Sequence, residues 1–481
     1  MSLLQLNKKY LIFVLPLCYM VVAKIGSNPN VSLGFVLSLL ALNVGMLTIV
    51  SAPVAAALVF MGHNLIGQIT MAHPGLLVQV IPAITLIFGL FYIRRNEIQF
   101  SSFNFKNWRR ETWALIIILV IFLYGFLHSV IGQDGGFSLS LFGNLVKESQ
   151  GGKIDYYPYV FMSRWGTFIL IGGLCCRGVE ELKIFFLAMS VFILTQLIAI
   201  PLEVYQSTFG DICYNRINYN GLQALNVNKA YLGYLIAGSF TVFLNFALRE
   251  KNRILMSIFY VAAMILLILC VVSGSKGPVG AAGLAIIFSV ILGGKKYFLK
   301  QTIFGASFLF LLLISPKFIG CTGGIENLVK SSVITTKISM DVRADLAKAE
   351  FKKTEDHNVL EKLFGGGLGR SFGLVPTNII DPLTNKPFTV ISPSGSHNIF
   401  LDFSVDLGWI GVTCFTLASL FLVYSLFKIL SSSLMVAAVG GYLIVVCVYS
   451  ILATAPSMAT IQALILGVLF GVGIKKNENL H

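Results

Sequence analysis

The sequence predicts an all-α polytopic membrane protein with about 12–14 transmembrane helices and one large external loop late in the chain. Three observations predict it. First, the 481 residues are 56% hydrophobic and only 12% charged, whereas soluble domains carry about a quarter charged residues. Second, apolar runs of roughly 15 to 22 residues recur, closed by Lys, Arg, Gly or Pro, and each is enough to cross a bilayer as a helix. Third, the basic residues of the short loops fall on one side of the membrane once the runs are counted.

Taken in order, Lys8 and Lys9 precede the run Tyr10 to Ala23, as in a secretory leader. No small-x-small site follows, so an uncleaved first span is expected. Further spans are expected near 31–50, 52–70, 76–93, 113–131, 159–175, 184–203, 229–247, 254–272, 277–293, 301–315, 405–427, 433–453 and 459–474. Pro53, His63, Asn64 and Gln68 interrupt 52–70, which reads equally as a re-entrant segment. The clusters Arg94, Arg95, Lys106, Arg109, Arg110; Arg249, Lys251, Arg253; and Lys295, Lys296, Lys300 then share the side of Lys8 and Lys9. Lys428 and Lys475-Lys476 join them, which makes both termini cytoplasmic by the positive-inside rule.

The other side receives three longer loops: Gly132 to Pro158, Glu203 to Asn228, and Pro316 to Ser396. The chain therefore divides into helices over 1–315, a large external loop over 316–398, and C-terminal helices over 399–481. The formal charge of +14 does not point to nucleic acid. Membrane-side anchoring accounts for the short loops, and the excess in the long loop suits an anionic substrate. Eight cysteines show no zinc or iron–sulfur spacing, and no metal or cofactor is expected. Cys213 and Cys321 both fall in external loops, where a disulfide is open to them but is not established by sequence.

A loop this long carries structure of its own. Asp341 to Lys353 reads as a short amphipathic helix, capped by Asp341, with Leu346 and Phe351 making apolar contacts and its lysines facing water. Gly365-Gly-Gly-Leu-Gly369 cannot sustain a helix and suits a tight turn; with no strand before it and no G-x-G-x-x-G spacing, it is not a dinucleotide fingerprint.

Polar chemistry crowds here and at one earlier turn. His397, beside Asn398, stands where the loop enters a membrane helix. A lone histidine is more often structural, but this one meets the water–lipid boundary. Helical spacing would align His397 with Leu401, Ser404 and Gly408 and turn Asp402 and Asp406 away, so a partner must come from another segment. Ser275-Lys276-Gly277 joins two spans at the external face. Lys276 reads either as a snorkelling lysine or as a cation for phosphate. Arg343 is a solvated loop arginine or a bidentate phosphate clamp. Arg370 and Arg216 are further external arginines.

Arg343, Gly365 to Gly369, His397-Asn398-x-x-Leu401 and Asp406-x-Gly408-x-x-Gly411 together resemble the bacterial O-antigen ligase/polymerase superfamily. The resemblance is loose over the whole architecture and closer over about residues 270 to 411. It implies a GT-C-like glycosyltransferase of the bacterial inner membrane that works without a metal and whose site faces the periplasm. The donor would be a glycan on undecaprenyl diphosphate. The acceptor would be another lipid-linked glycan in a polymerase, or lipid A-core in a ligase, with a chain-length regulator as a candidate partner. The family's functional positions map onto His397, Arg343 and Lys276 as catalytic groups, with Lys276 replacing the usual arginine. Ser275, Asn398, Arg370 and Arg216 would contact substrate. The rival class is a transporter, a lipid-linked glycan flippase or polysaccharide exporter; polar investment in one loop, rather than along the spans, disfavours it.

Overall fold

In lipid, an apolar stretch can satisfy its backbone amides within itself only as a helix, and the apolar runs do so. The computed structural model describes residues 30–61, 76–95, 110–131, 157–199, 203–209, 212–218, 229–272, 276–318, 340, 343–369, 371, 375–380, 387–392, 396–430, 433–452 and 460–476. The first half supplies α1 (Leu33–Val50), α2 (Ala52–Met61), α3 (Leu76–Arg94), α4 (Arg110–Ile131), α5 (Tyr157–Cys175) and α6 (Val179–Ala199). A hairpin of β1 (Glu203–Phe209) and β2 (Ile212–Asn218) leads to α7 (Lys229–Arg249), α8 (Arg253–Val272) and α9 (Lys276–Phe318). The long loop folds as α10 (343–356), α11 (Val359–Phe364) and a second hairpin, β3 (Val375–Ile380) with β4 (Pro387–Ser392). The chain closes with α12 (Ile399–Ile429), α13 (Ser433–Leu452) and α14 (Thr460–Lys476).

Five helices among the described residues are long and apolar enough to cross a membrane: Arg110–Ser129, Tyr231–Leu248, Arg253–Val271, Ile399–Ile429 and Met435–Leu452. Six shorter apolar helices accompany them. The fold is thus that of a helical multi-pass membrane protein, with its two small antiparallel hairpins confined to the loops. The expected first span, 10–24, lies outside the described residues. The runs at 277–293 and 301–315, expected as two spans, form one continuous 43-residue helix. At 1.5 Å per residue it is about 64 Å long, twice the bilayer core. Gly293, Gly294 and the lysines after them weaken a helix by only about 1 kcal/mol per glycine, and with no proline among them nothing forces a break there.

Burial ranks the helices. The span in α7 is buried along its whole length, so a helix apolar all round takes the centre, packed by α6, α8, α9 and α13. Ser289 of α9 donates to Asn245 of α7 at 2.9 Å, a polar link inside the apolar interior. A second centre joins α4, α5 and α12 through Phe122, Trp165, Phe403 and Phe415. Phe122 and Trp165 meet edge-on at 4.9 Å, and Phe403 and Phe415 at 5.1 Å.

Two contacts tie the bundle's helices together. Arg94, in the last turn of α3, donates to the Leu174 carbonyl at 3.2 Å and to both carboxylate oxygens of Glu181 at 2.7 Å. Glu181 also accepts from the Arg177 amide at 2.7 Å, so one partly buried ion pair fastens the end of α5 to α3 and α6. Along their length, α5 and α14 approach backbone to backbone, because a Cβ on Gly467 would collide with the Ile169 carbonyl and one on Gly172 with the Leu464 carbonyl. Small residues at such crossings are how membrane helices pack closely. Gly467→Leu is expected to force the pair apart at a cost of about 1–3 kcal/mol. It should lower the thermal midpoint of the detergent-solubilised protein, while Gly305→Leu, which has open space around it, leaves the midpoint unchanged.

Candidate functional site

The site is built around a break in a helix. Inside α12, Gly408 has φ 68° and ψ 177°, which interrupts the ladder of i to i−4 bonds. Carbonyls released by such a break need donors from elsewhere, and the glycine turn supplies them. Gly366 N–H donates to the Val405 carbonyl at 2.9 Å, and Gly367 N–H to the Asp406 carbonyl at 3.0 Å. Leu368 N–H then reaches the Gly125 carbonyl of α4 at 3.1 Å, while Ser129 Oγ donates to the Leu368 carbonyl at 2.7 Å. Gly365 has φ 85°, and a Cβ there would strike the Asp406 carbonyl; one on Gly408 would strike Leu363. The expected tight turn is present, and its purpose is close passage of one backbone over another.

Asp406 completes the clamp. Its carboxylate, fully buried, accepts from Gly369 N–H at 3.1 Å and from Ser371 N–H at 2.7 Å. The far side of Ser371 is held by α10. Lys353 donates to the Ser371 carbonyl at 2.9 Å and to the buried Glu350 carboxylate at 2.8 Å. Burial pushes the Glu350 carboxyl above its ordinary value, and Lys353 opposes that shift. Leu346 is buried as expected. Two expectations for α10 are corrected: Phe351 is exposed rather than packed, and Lys353 turns inward because a buried carboxylate needs a counter-charge.

His397 sits just ahead of α12 and not on it, which corrects the helical face expected from Leu401, Ser404 and Gly408. Its φ is 59°, a left-handed conformation rare outside glycine. Both neighbours are fastened. The fully buried Asp402 accepts from Ser396 N–H and from Ser396 Oγ, each at 2.8 Å. Asn398, expected as a substrate contact, is the N-cap of α12, its Oδ1 accepting from Phe400 and Leu401 N–H at 3.0 and 3.3 Å. Backbone held in a sparse region by surrounding bonds is a recurrent feature of functional sites.

Charge gathers around this histidine. The imidazole is half-buried; burial lowers its pKa below 6.5, and the positive charge of Arg343 lowers it further. Arg343 opens the described part of α10, exposed, and its charge also acts on the Tyr234 phenol of α7. Tyr234 in turn lies over Gly277, its hydroxyl occupying the place of a missing Cβ, one residue from Lys276 at the start of α9. Its ring packs on Tyr449 of α13 at 5.1 Å. Tyr234 thus packs beside the Lys276 turn and lies within the field of Arg343.

The remaining expected residues are placed less fully. Arg216 lies in β2 opposite Tyr205. Ser275, Arg370 and Cys321 lie outside the described residues, as does the side chain of Cys213. Sequence reasoning missed three residues here. Asp402 is weighed in the sequence only as a partner for His397, and Asp406 as that and as the acidic position of the motif, so neither is read as a backbone clamp; the Ser396 and Asn398 spacing is the available signal for one. Tyr234 had no signal, since a tyrosine inside an apolar run reads as packing. Among curated proteins the chain finds no match. Residues 261–416, about a third of the chain, match the family model described as O-antigen ligase, and that stretch contains Lys276, Arg343 and His397 together.

Proposed function

We propose that the protein is a glycosyltransferase that moves a glycan from undecaprenyl diphosphate at the periplasmic face of the inner membrane. The observation that carries this reading is that the charge of Arg343 acts on both His397 and Tyr234, the latter packed on Gly277 next to Lys276. It gains support from the family match across the same residues.

The chemistry follows from charge. An acceptor hydroxyl attacks the anomeric carbon in line, inverting it, as the carbon–oxygen bond to the diphosphate breaks. The electron pair leaves with undecaprenyl diphosphate, and the hydroxyl proton passes to His397. Arg343 and Lys276 stabilise the negative charge that develops on the leaving group, the largest contribution in many such sites. The lowering of the His397 pKa by burial and Arg343 favours the neutral imidazole, the form that can accept a proton. No metal is required in this scheme, because the two side-chain cations supply the positive charge. Between the two acceptors, the length of the three external loops in the sequence leans the reading slightly to polymerisation onto a second lipid-linked glycan over ligation to lipid A-core.

Four outcomes test the scheme. His397→Ala should abolish transfer from a lipid-linked oligosaccharide with protein level intact; wild-type transfer would remove His397 from the mechanism. Arg343→Gln should slow transfer by about 10²–10³-fold. The pH profile has a definite sign: a histidine with lowered pKa stays a base as pH falls, so the acid limb of kcat/KM lies below 6.5. In the Arg343→Gln variant the residual limb moves upward, because the charge that disfavours the imidazolium is gone. Tyr234→Phe should raise KM for the donor more than it lowers kcat, measured on purified protein.

A further inference from the structure

The short helix α11 is built the wrong way round for water. None of its residues is buried, and its apolar side chains are the most open: Val359 is 73% exposed and Leu360 69%, with Leu363 and Phe364 at 40% and 41%. Its polar residues, Glu361 and Lys362, are only half-exposed. The helix is nonetheless firmly made. Asn358 and Glu361 form a reciprocal capping box, with Glu361 N–H donating to Asn358 Oδ1 at 2.9 Å and Asn358 N–H to Glu361 Oε2 at 3.2 Å. Its far end is pinned where Leu363 and Gly365 press against Gly408 of α12.

Its position says what meets the open face. The Phe364 ring packs on Tyr124 of α4 at 6.1 Å. Tyr124 and its neighbours Leu123 and Leu127 are exposed on one of the five helices able to cross a membrane. The Phe364–Tyr124 contact therefore joins the apolar face of α11 to the exposed apolar face of α4. We infer that α11 is an interfacial helix whose Val359, Leu360, Leu363 and Phe364 side chains insert among the acyl chains at the bilayer surface. An exposed apolar helix face of this kind is a liability in water and is satisfied in the interfacial zone. Because α11 runs straight into Gly365, contact with lipid also fixes the height at which the glycine turn meets α12. The inference is independent of the reaction the site performs.

The test uses the full chain in nanodiscs of defined phospholipid. A benzophenone amino acid is placed at Leu360 and, separately, at Val359, and adducts are identified by mass spectrometry. Leu123 on α4 serves as the lipid-facing control, and Lys348 on α10, with 79% of its side chain exposed, as the control away from this face. Lipid adducts at both α11 positions, in yield comparable to Leu123 and several-fold above Lys348, support the inference. Crosslinks from Leu360 and Val359 into a second copy of the chain would overturn it. So would the absence of lipid adducts at both positions while Leu123 gives them.

Discussion

The hydrogen bonds between the glycine turn and the interrupted helix α12 are the constraint on which the site depends. In a low-dielectric interior, unpaired carbonyls at a helix break are costly. Gly366 and Gly367 satisfy two of them at 2.9 and 3.0 Å. The same turn presents Gly369 to the Asp406 carboxylate. Through Ser371 and Lys353 the clamp extends to α10, which carries Arg343. A loop segment and a membrane helix are thereby tied together, with Arg343 on the one and His397 just ahead of the other.

That arrangement explains the division of labour among the acidic residues. Glu350, Asp402 and Asp406 are all buried, and each is occupied with a donor close by: a lysine, a serine, or backbone amides. The histidine has its pKa lowered by burial and further by the charge of Arg343.

Much of the membrane body was legible because hydrophobic period and length are local properties. The runs at 113–131, 229–247 and 254–272 became helices with nearly those bounds. The continuity of α9 was not legible, since glycines and lysines mark a loop only by propensity, and propensity is a weak prior. The glycine turn was legible from composition; what it binds was not, because its partners Val405 and Asp406 lie about forty residues away. His397 was legible from its motif, while its place outside the helix depends on the Ser396–Asp402 bond and on the cap at Asn398. Tyr234 shows the general limit: a side chain that packs beside another segment's glycine leaves no mark in its own neighbourhood.

The left-handed backbone at His397 also narrows the vocabulary of that position. Branched or bulky residues resist such a φ, whereas asparagine, aspartate and glycine tolerate it. A saturation library at codon 397 thus carries two superimposed filters, one conformational and one chemical. Asparagine passes the first while removing the imidazole, which makes His397→Asn the replacement that separates the backbone's demand from the side chain's chemistry.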